Sequence, residues 1–208
     1  MAYVAIVIMP FKNEREPMEE YLASSEYIDW RHPGVYQQAL ELSAGLTSSE
    51  DVIRRCFEFV RDEVKHSSDF ELNPVTCRAS DVLKYHTGYC YAKSHLLAAL
   101  LRANGIPVGL CYQRLETGEN VFCLHGLNAV WLDELGWYRL DPRGNKDEII
   151  SDFCPPKESL AFKPSIKGER DLPEIWAEPL PNVVEVLNAS ATFQDVLENL
   201  PDIELINT

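Results

Sequence analysis

Apolar residues recur along this chain with two different periods, and the change falls near residue 105. Ahead of that point the spacing is helical. Residues 33–46 read as a first helix, with Leu40 and Ala44 on one side. Thr47-Ser48-Ser49-Glu50 has the form of a capping box. It opens a second helix whose Val52, Ile53, Cys56, Phe57, Val60 and Val64 fall on one face. Ser80-Asp81-Val82-Leu83 starts a short helical turn. The most legible helix begins near Cys90 and runs through Ser94, Leu96, Leu97, Leu100 and Leu101. Asn104-Gly105 stops it, and Pro107 forbids its continuation.

Beyond it apolar and polar positions alternate. Val108 to Arg114, Phe122 to Leu132 and Trp137 to Leu140 read as strands, the last two joined as a hairpin across Asp133-Glu134-Leu135-Gly136. From Pro155 onward the chain is rich in proline and acid. That tail is expected to be extended, with one late helix around Thr192–Leu200, and to wrap the domain rather than form a second one. Helices first, a Leu-rich helix in the middle and an antiparallel sheet after it make an α+β fold.

Residues 1–17 differ in character from the rest, and Pro17-Met18 is a seam. The expected organisation is an N-terminal extension over 1–17 and a domain over 18–208, with its core at about 50–150 and the wrapping tail at 155–208. Met1 to Pro10 is apolar, but no basic residue precedes it and no small-residue cleavage site follows, so it does not read as a secretory signal. Met18 offers an alternative start.

With 46% hydrophobic and 25% charged residues, 208 residues supply a sizeable core without covalent staples. The charge changes the picture more. Nineteen Lys+Arg stand against 33 Asp+Glu, a net −14, and no basic stripe is present to displace counterions, so nucleic acid and anionic membranes are excluded as partners. No apolar run approaches the ~20 residues of a membrane span. The six cysteines contain no C-x-x-C pair. They read as reduced thiols of a cytoplasmic protein, with no structural zinc and no cofactor motif.

Candidate chemistry centres on Thr87-Gly88-Tyr89-Cys90-Tyr91-Ala92-Lys93-Ser94. A cysteine in the first turn of a buried helix meets free N–H groups and the positive end of the backbone dipole, which favour the thiolate. Gly88 is expected to allow a tight turn and leave room for a substrate backbone. His125 lies near the start of one strand and Asp141 ends the next. If Leu127 stands opposite Asp141, the hairpin loop has an odd number of residues and Gly136 takes its left-handed position. His125 and Asp141 then share a face as diagonal neighbours, roughly 7–8 Å apart at Cα, whereas a one-residue slip would separate them. Asp141 can then orient His125 while His125 activates Cys90.

The other histidines fit less well. His95 is about 140° around the helix from Cys90. His86 is a rim residue, His32 a loop residue, and His66 with Asp69 lines the cleft or sits in a surface turn. Arg143-Gly144-Asn145-Lys146 puts positive charge at the cleft mouth or is an ordinary turn, and Trp131 and Trp137 read as core aromatics.

The stretch from Gly88-Tyr89-Cys90 through Leu101-Arg102-Ala103-Asn104-Gly105-Ile106-Pro107 resembles the cysteine helix of the transglutaminase-like superfamily. His125, Val130-Trp131-Leu132, Gly136-Trp137 and Asp141-Pro142 resemble its histidine and aspartate strands. The chain is most similar to the bacterial, candidate cysteine-peptidase members. The resemblance covers roughly residues 50–150 and implies a papain-like core and acyl transfer through a thioester. Cys90 would be nucleophile, His125 base and Asp141 orienter, with no cofactor. Two positions depart from it: Leu127 stands where many members carry an aromatic residue, and Tyr89 where some carry glutamine. The partner implied is a peptide, protein or small amide, with hydrolysis first and transamidation, deamidation or other N-acyl transfer as alternatives. A catalytically silent protein-binding domain is the reading from a different class. Nothing matches a P-loop, a dinucleotide fingerprint or H-E-x-x-H.

Overall fold

The computed structural model describes residues 18–204; the segment 1–17, read above as an extension, lies outside the described residues. In chain order the elements are α1 (Pro33–Ser43), α2 (Ser49–Glu58), β1 (Lys65–His66), α3 (Ala79–Tyr85), β2 (Thr87–Gly88), α4 (Cys90–Ala103), β3 (Val108–Gly118), β4 (Val121–Leu132), β5 (Gly136–Leu140), β6 (Asp152–Cys154), β7 (Lys157–Ser159), β8 (Arg170–Asp171), α5 (Pro181–Ala189) and α6 (Phe193–Glu198).

The architecture is α+β. Every residue of α4 from Cys90 to Arg102 is buried, as expected of a helix that is apolar nearly all round. It meets α1, α2 and α3 as well as β3 and β4. The main sheet is antiparallel in the order β5-β4-β3-β8. Its helix-facing residues include Leu110, Tyr112, Leu124, Val130 and Leu140, which join the α4 core. The opposite face carries Cys111, Leu127 and Ala129, and these are covered by Trp137, Leu160 and Ile175. The tail thereby buries the second face of β4.

The β4–β5 hairpin has the odd loop and register anticipated above. Leu132 pairs with Gly136, whose φ is +77°, and the ladder ends at Asn128–Leu140, one step short of Leu127 and Asp141.

Local readings needed correction. The capping box at 47–50 does not form: the N-cap is Ser48, without a side-chain bond, and Glu50 and Asp51 in the first turn serve the helix dipole instead. A true capping box joins Thr192 and Asp195 at α6. Val64 lies outside α2, which ends at Glu58 and loosens into a π-turn over Phe59–Glu63. The tail holds a second helix, α5, missed because its Val183, Val184 and Val186 read as extended; Pro181 starts it, and Val183 and Leu187 bury one side. Trp131 and Trp137 are only half-buried, edge to face on the tail side of the sheet. No helix among the described residues is long and apolar enough to cross a membrane.

Candidate active site

The site forms because β4 is longer than β5. β5 pairs no further than Asn128, which leaves the β4 edge open at residues 124–126. Three other groups take it. Leu124 N–H donates to the Pro201 carbonyl at 2.7 Å, the Tyr91 hydroxyl donates to the Leu124 carbonyl, and Gly126 N–H points at Cys90 Sγ, 3.4 Å away. Cys90 is the first residue of α4, after the extended N-cap Tyr89, so its own N–H has no partner within the helix. Gly126 permits the approach: a Cβ there would stand 3.0 Å from Tyr91 Cα. A glycine inside a strand pattern is a sign of such close contact, and that signal was available at His125-Gly126. The room foreseen at Gly88 is absent. Its Cβ position lies 3.1 Å from both Ala92 and Thr76 side chains, and Gly88 pairs with His66 in a short parallel bridge.

His125 Nε2 and Asp141 Oδ2 are 2.7 Å apart. Nδ1 is therefore the nitrogen left for the Cys90 sulfur. Asp141 is wholly buried, His125 is 4% exposed and Cys90 6%, so these groups act on one another nearly free of water. Burial alone would lower His125, but the Asp141 carboxylate and the Cys90 thiol beside it reverse that and push it up to about 10. Burial would likewise raise Asp141; the His125 ring and the N–H groups of Arg143 (3.1 Å) and Ala161 (3.2 Å) outweigh it and hold the carboxyl below its ordinary value. The Ser151 hydroxyl donates to the Asp141 carbonyl at 2.7 Å. By contrast burial pushes Cys56, Cys77, Cys111 and Cys123 up to about 12, and Cys154 is exposed on β6.

A second polar group adjoins the first. His66 is buried, its ring edge-on to Tyr89 at 5.4 Å, and its Nδ1 lies 3.7 Å from Asp69 Oδ2, too far for a hydrogen bond. Asp69 is held instead by the Arg143 guanidinium at 2.9 Å, with Lys146 at 3.5 Å. The His66–Asp69 pair and the basic run after Asp141 thus join one charged wall rather than separate turns. Lys93, one turn along α4 from Cys90, is fully buried and unforeseen. Its Nζ donates to the Arg61 carbonyl at 3.3 Å and to the Val64 carbonyl, both freed where α2 loosens. Burial, aided by Arg143 and opposed by Asp141, pushes it down to about 7.

The remaining histidines lie elsewhere. His95 is buried with Nδ1 on the Cys77 carbonyl at 2.8 Å, His86 is exposed at the end of α3, and His32 caps α1 through Gly34 N–H.

Three solved structures are similar over part of their length. A candidate cysteine protease from Cytophaga hutchinsonii is 16% identical, with a TM-score of 0.49, over 67% of this chain and 45% of that one. The periplasmic domain of TgpA from Pseudomonas aeruginosa is 19% identical, with a TM-score of 0.48, over 60% and 46%. A candidate protease from Parabacteroides distasonis is 13% identical, with a TM-score of 0.40, over 56% and 23%. The aligned part spans less than half of each of these structures. No curated protein matches the chain. The family model for the transglutaminase-like superfamily matches residues 36–142, just over half of the sequence and the whole stretch that carries Cys90, His125 and Asp141. The chain therefore belongs to the transglutaminase-like superfamily.

Proposed function

We propose that the protein transfers acyl groups through a thioester on Cys90, and that it hydrolyses a peptide, isopeptide or amide bond. The observation that carries this reading is the convergence at the open β4 edge: a helix-start thiol facing Gly126 N–H, beside an imidazole whose far nitrogen is fixed on a buried carboxylate. The Gly126 N–H and the first turn of α4 both face the sulfur, and Asp141 favours the imidazolium.

In the reaction the Cys90 sulfur bonds to the substrate carbonyl carbon. The carbonyl oxygen then takes negative charge, for which the free Cys90 N–H is a donor. The C–N bond breaks and the amine leaves with the proton carried by His125 Nδ1. Water next attacks the thioester carbon and gives its proton to His125; the C–S bond breaks and the acid departs, restoring the pair. The free thiols fit a reducing compartment, the cytoplasm.

The test is a panel of acyl-aminomethylcoumarin peptides with intact-mass detection of acyl-enzyme, run beside Cys90→Ala. The expected result is turnover and an acyl adduct on Cys90 in the wild type, both lost in the variant. Iodoacetamide at pH 6 should also modify Cys90 well before the exposed Cys154. A protein that forms no adduct and alkylates Cys154 first is not this enzyme.

A further inference from the structure

The segment over 160–164 crosses the His125–Asp141 pair between two anchors. At one end Glu158 grips Arg139, with contacts of 2.7–3.1 Å, and Lys157 O accepts from the Tyr138 hydroxyl at 2.9 Å. At the other the Glu169 carboxylate accepts from the N–H groups of Ser165, Ile166 and Glu116. Between them Ala161 N–H reaches Asp141, and the Phe162 carbonyl accepts from Gln113 Nε2 at 3.3 Å. Gln113 stands directly across from His125 in the β3–β4 ladder. The Phe162 ring is held edge to face against the imidazole, centroids 4.9 Å apart and planes at 85°. The Arg143 guanidinium lies over the same ring at 5.6 Å.

The His125 ring turns about its Cβ–Cγ bond, and the hydrogen bond at Nε2 limits that turn only in part. From this arrangement we infer that Phe162 is a positioning residue for the chemistry at Cys90, holding the His125 ring in the plane that presents Nδ1 to sulfur. The inference rests on the reading of Cys90 and His125 given above. The charged and titratable groups around His125 are Cys90 and Lys93 from α4, Asp141 and Arg143 at the end of β5, and His66 with Asp69 from the β1 side. Of these, Arg143 is the cation that shares the Phe162 ring with the imidazole. Removing the ring therefore frees the imidazolium to turn away from the sulfur, and the charged pair then forms only at higher pH.

The readout needs no substrate: the rate of iodoacetamide modification at Cys90, followed by peptide mass spectrometry from pH 4 to 9. Phe162→Ala should slow it at pH 6 roughly three- to tenfold, the size of one aromatic pair, and move the acid limb of the profile upward. Phe162→Tyr, which keeps the ring, should stay within about twofold with its limb unmoved. Phe162→Leu, which keeps bulk without a plane and serves if the alanine variant fails to fold, should resemble alanine. A leucine variant as reactive as wild type overturns the inference, as does an alanine variant that melts earlier with an unmoved limb. If wild-type Cys90 reacts no faster than Cys154 at pH 6, the reading of the site fails first, and a flat Phe162→Ala result with a reactive wild type removes only Phe162.

Discussion

Two buried histidines, each beside an aspartate, lie side by side in this protein and stand at opposite ends of the imidazole range. His125 is pushed up to about 10; His66 is pushed down to about 3, by burial first, then by Arg143, with Asp69 only partly opposing. Both rings are out of water and both have a carboxylate within 4 Å. The difference lies in what else holds each carboxylate. Apart from His125, Asp141 is hydrogen-bonded only by N–H groups, which orient it without adding a full charge, and the nearby Lys93 gives its own hydrogen bonds to backbone carbonyls. Asp69 is held by a guanidinium and an ammonium, so its charge is already matched and its nearest oxygen is 3.7 Å from the ring. A carboxylate near a histidine is therefore an orienting group only when no cation is ion-paired to it directly.

The largest expected effect follows directly. Asp141→Asn should cut both turnover and Cys90 alkylation at pH 6 by roughly 10²–10³, less than the 10⁴ typical of a serine triad because a thiolate–imidazolium pair starts ionised. Full reactivity in that variant would erase the contrast between the pairs. Arg143→Met should pull them toward each other: with its cation gone Asp69 is free to pair with His66, and the His66 titration followed by NMR should move up. A His66 midpoint that stays in place would show that burial alone sets it.

A third expectation concerns stability against pH. Lys93 is held at about 7 against an ordinary 10.5, so between these values the unfolded chain binds more protons and stability rises with pH. His125 is held at about 10 against 6.5, so its contribution is full below 6.5 and is lost as pH climbs to 10. The two slopes oppose one another in the wild type. In Lys93→Met the whole curve should drop, since two carbonyls lose their donor, and the melting temperature should fall more steeply from pH 7 to 10 than in the wild type. Parallel curves would remove Lys93 from the account. The smallest effect should come from Asp69→Asn, which is expected to leave Cys90 alkylation within about threefold of wild type. A loss as large as that of Asp141→Asn would make the second pair part of the chemistry.

The legible part of this molecule is the part governed by local rules. Asn104-Gly105 and Pro107 mark the end of α4, and the strand pattern offers a register that sets His125 and Asp141 on one face, which the Leu132–Gly136 pairing then selects. Ser151, Ala161 and Phe162 were not legible, because they return to Asp141 and His125 from a tail without periodicity, and only the folded path brings them there. Lys93 was hidden for a different reason. A lysine in a helix ordinarily reaches water, and what keeps this one inside is a pair of carbonyls released by the π-turn. The α5 helix misled through composition, since β-branched residues favour strands until burial of Val183 and Leu187 decides otherwise.

The dependence of Asp141 on residues that follow it sets where this chain can be divided. The recognised family region ends at residue 142, and a fragment cut there would keep Cys90, His125 and Asp141. It would strip the carboxylate of the Arg143 and Ala161 N–H groups and leave His125 as its sole donor among those described. With two of its donors gone, the carboxylate would be less firmly ionised and less firmly aimed at the imidazole. The smallest transplantable piece that preserves the chemistry therefore extends at least through Phe162, and a chimera joined at 142 would inherit its reactivity from whichever parent supplies the downstream half.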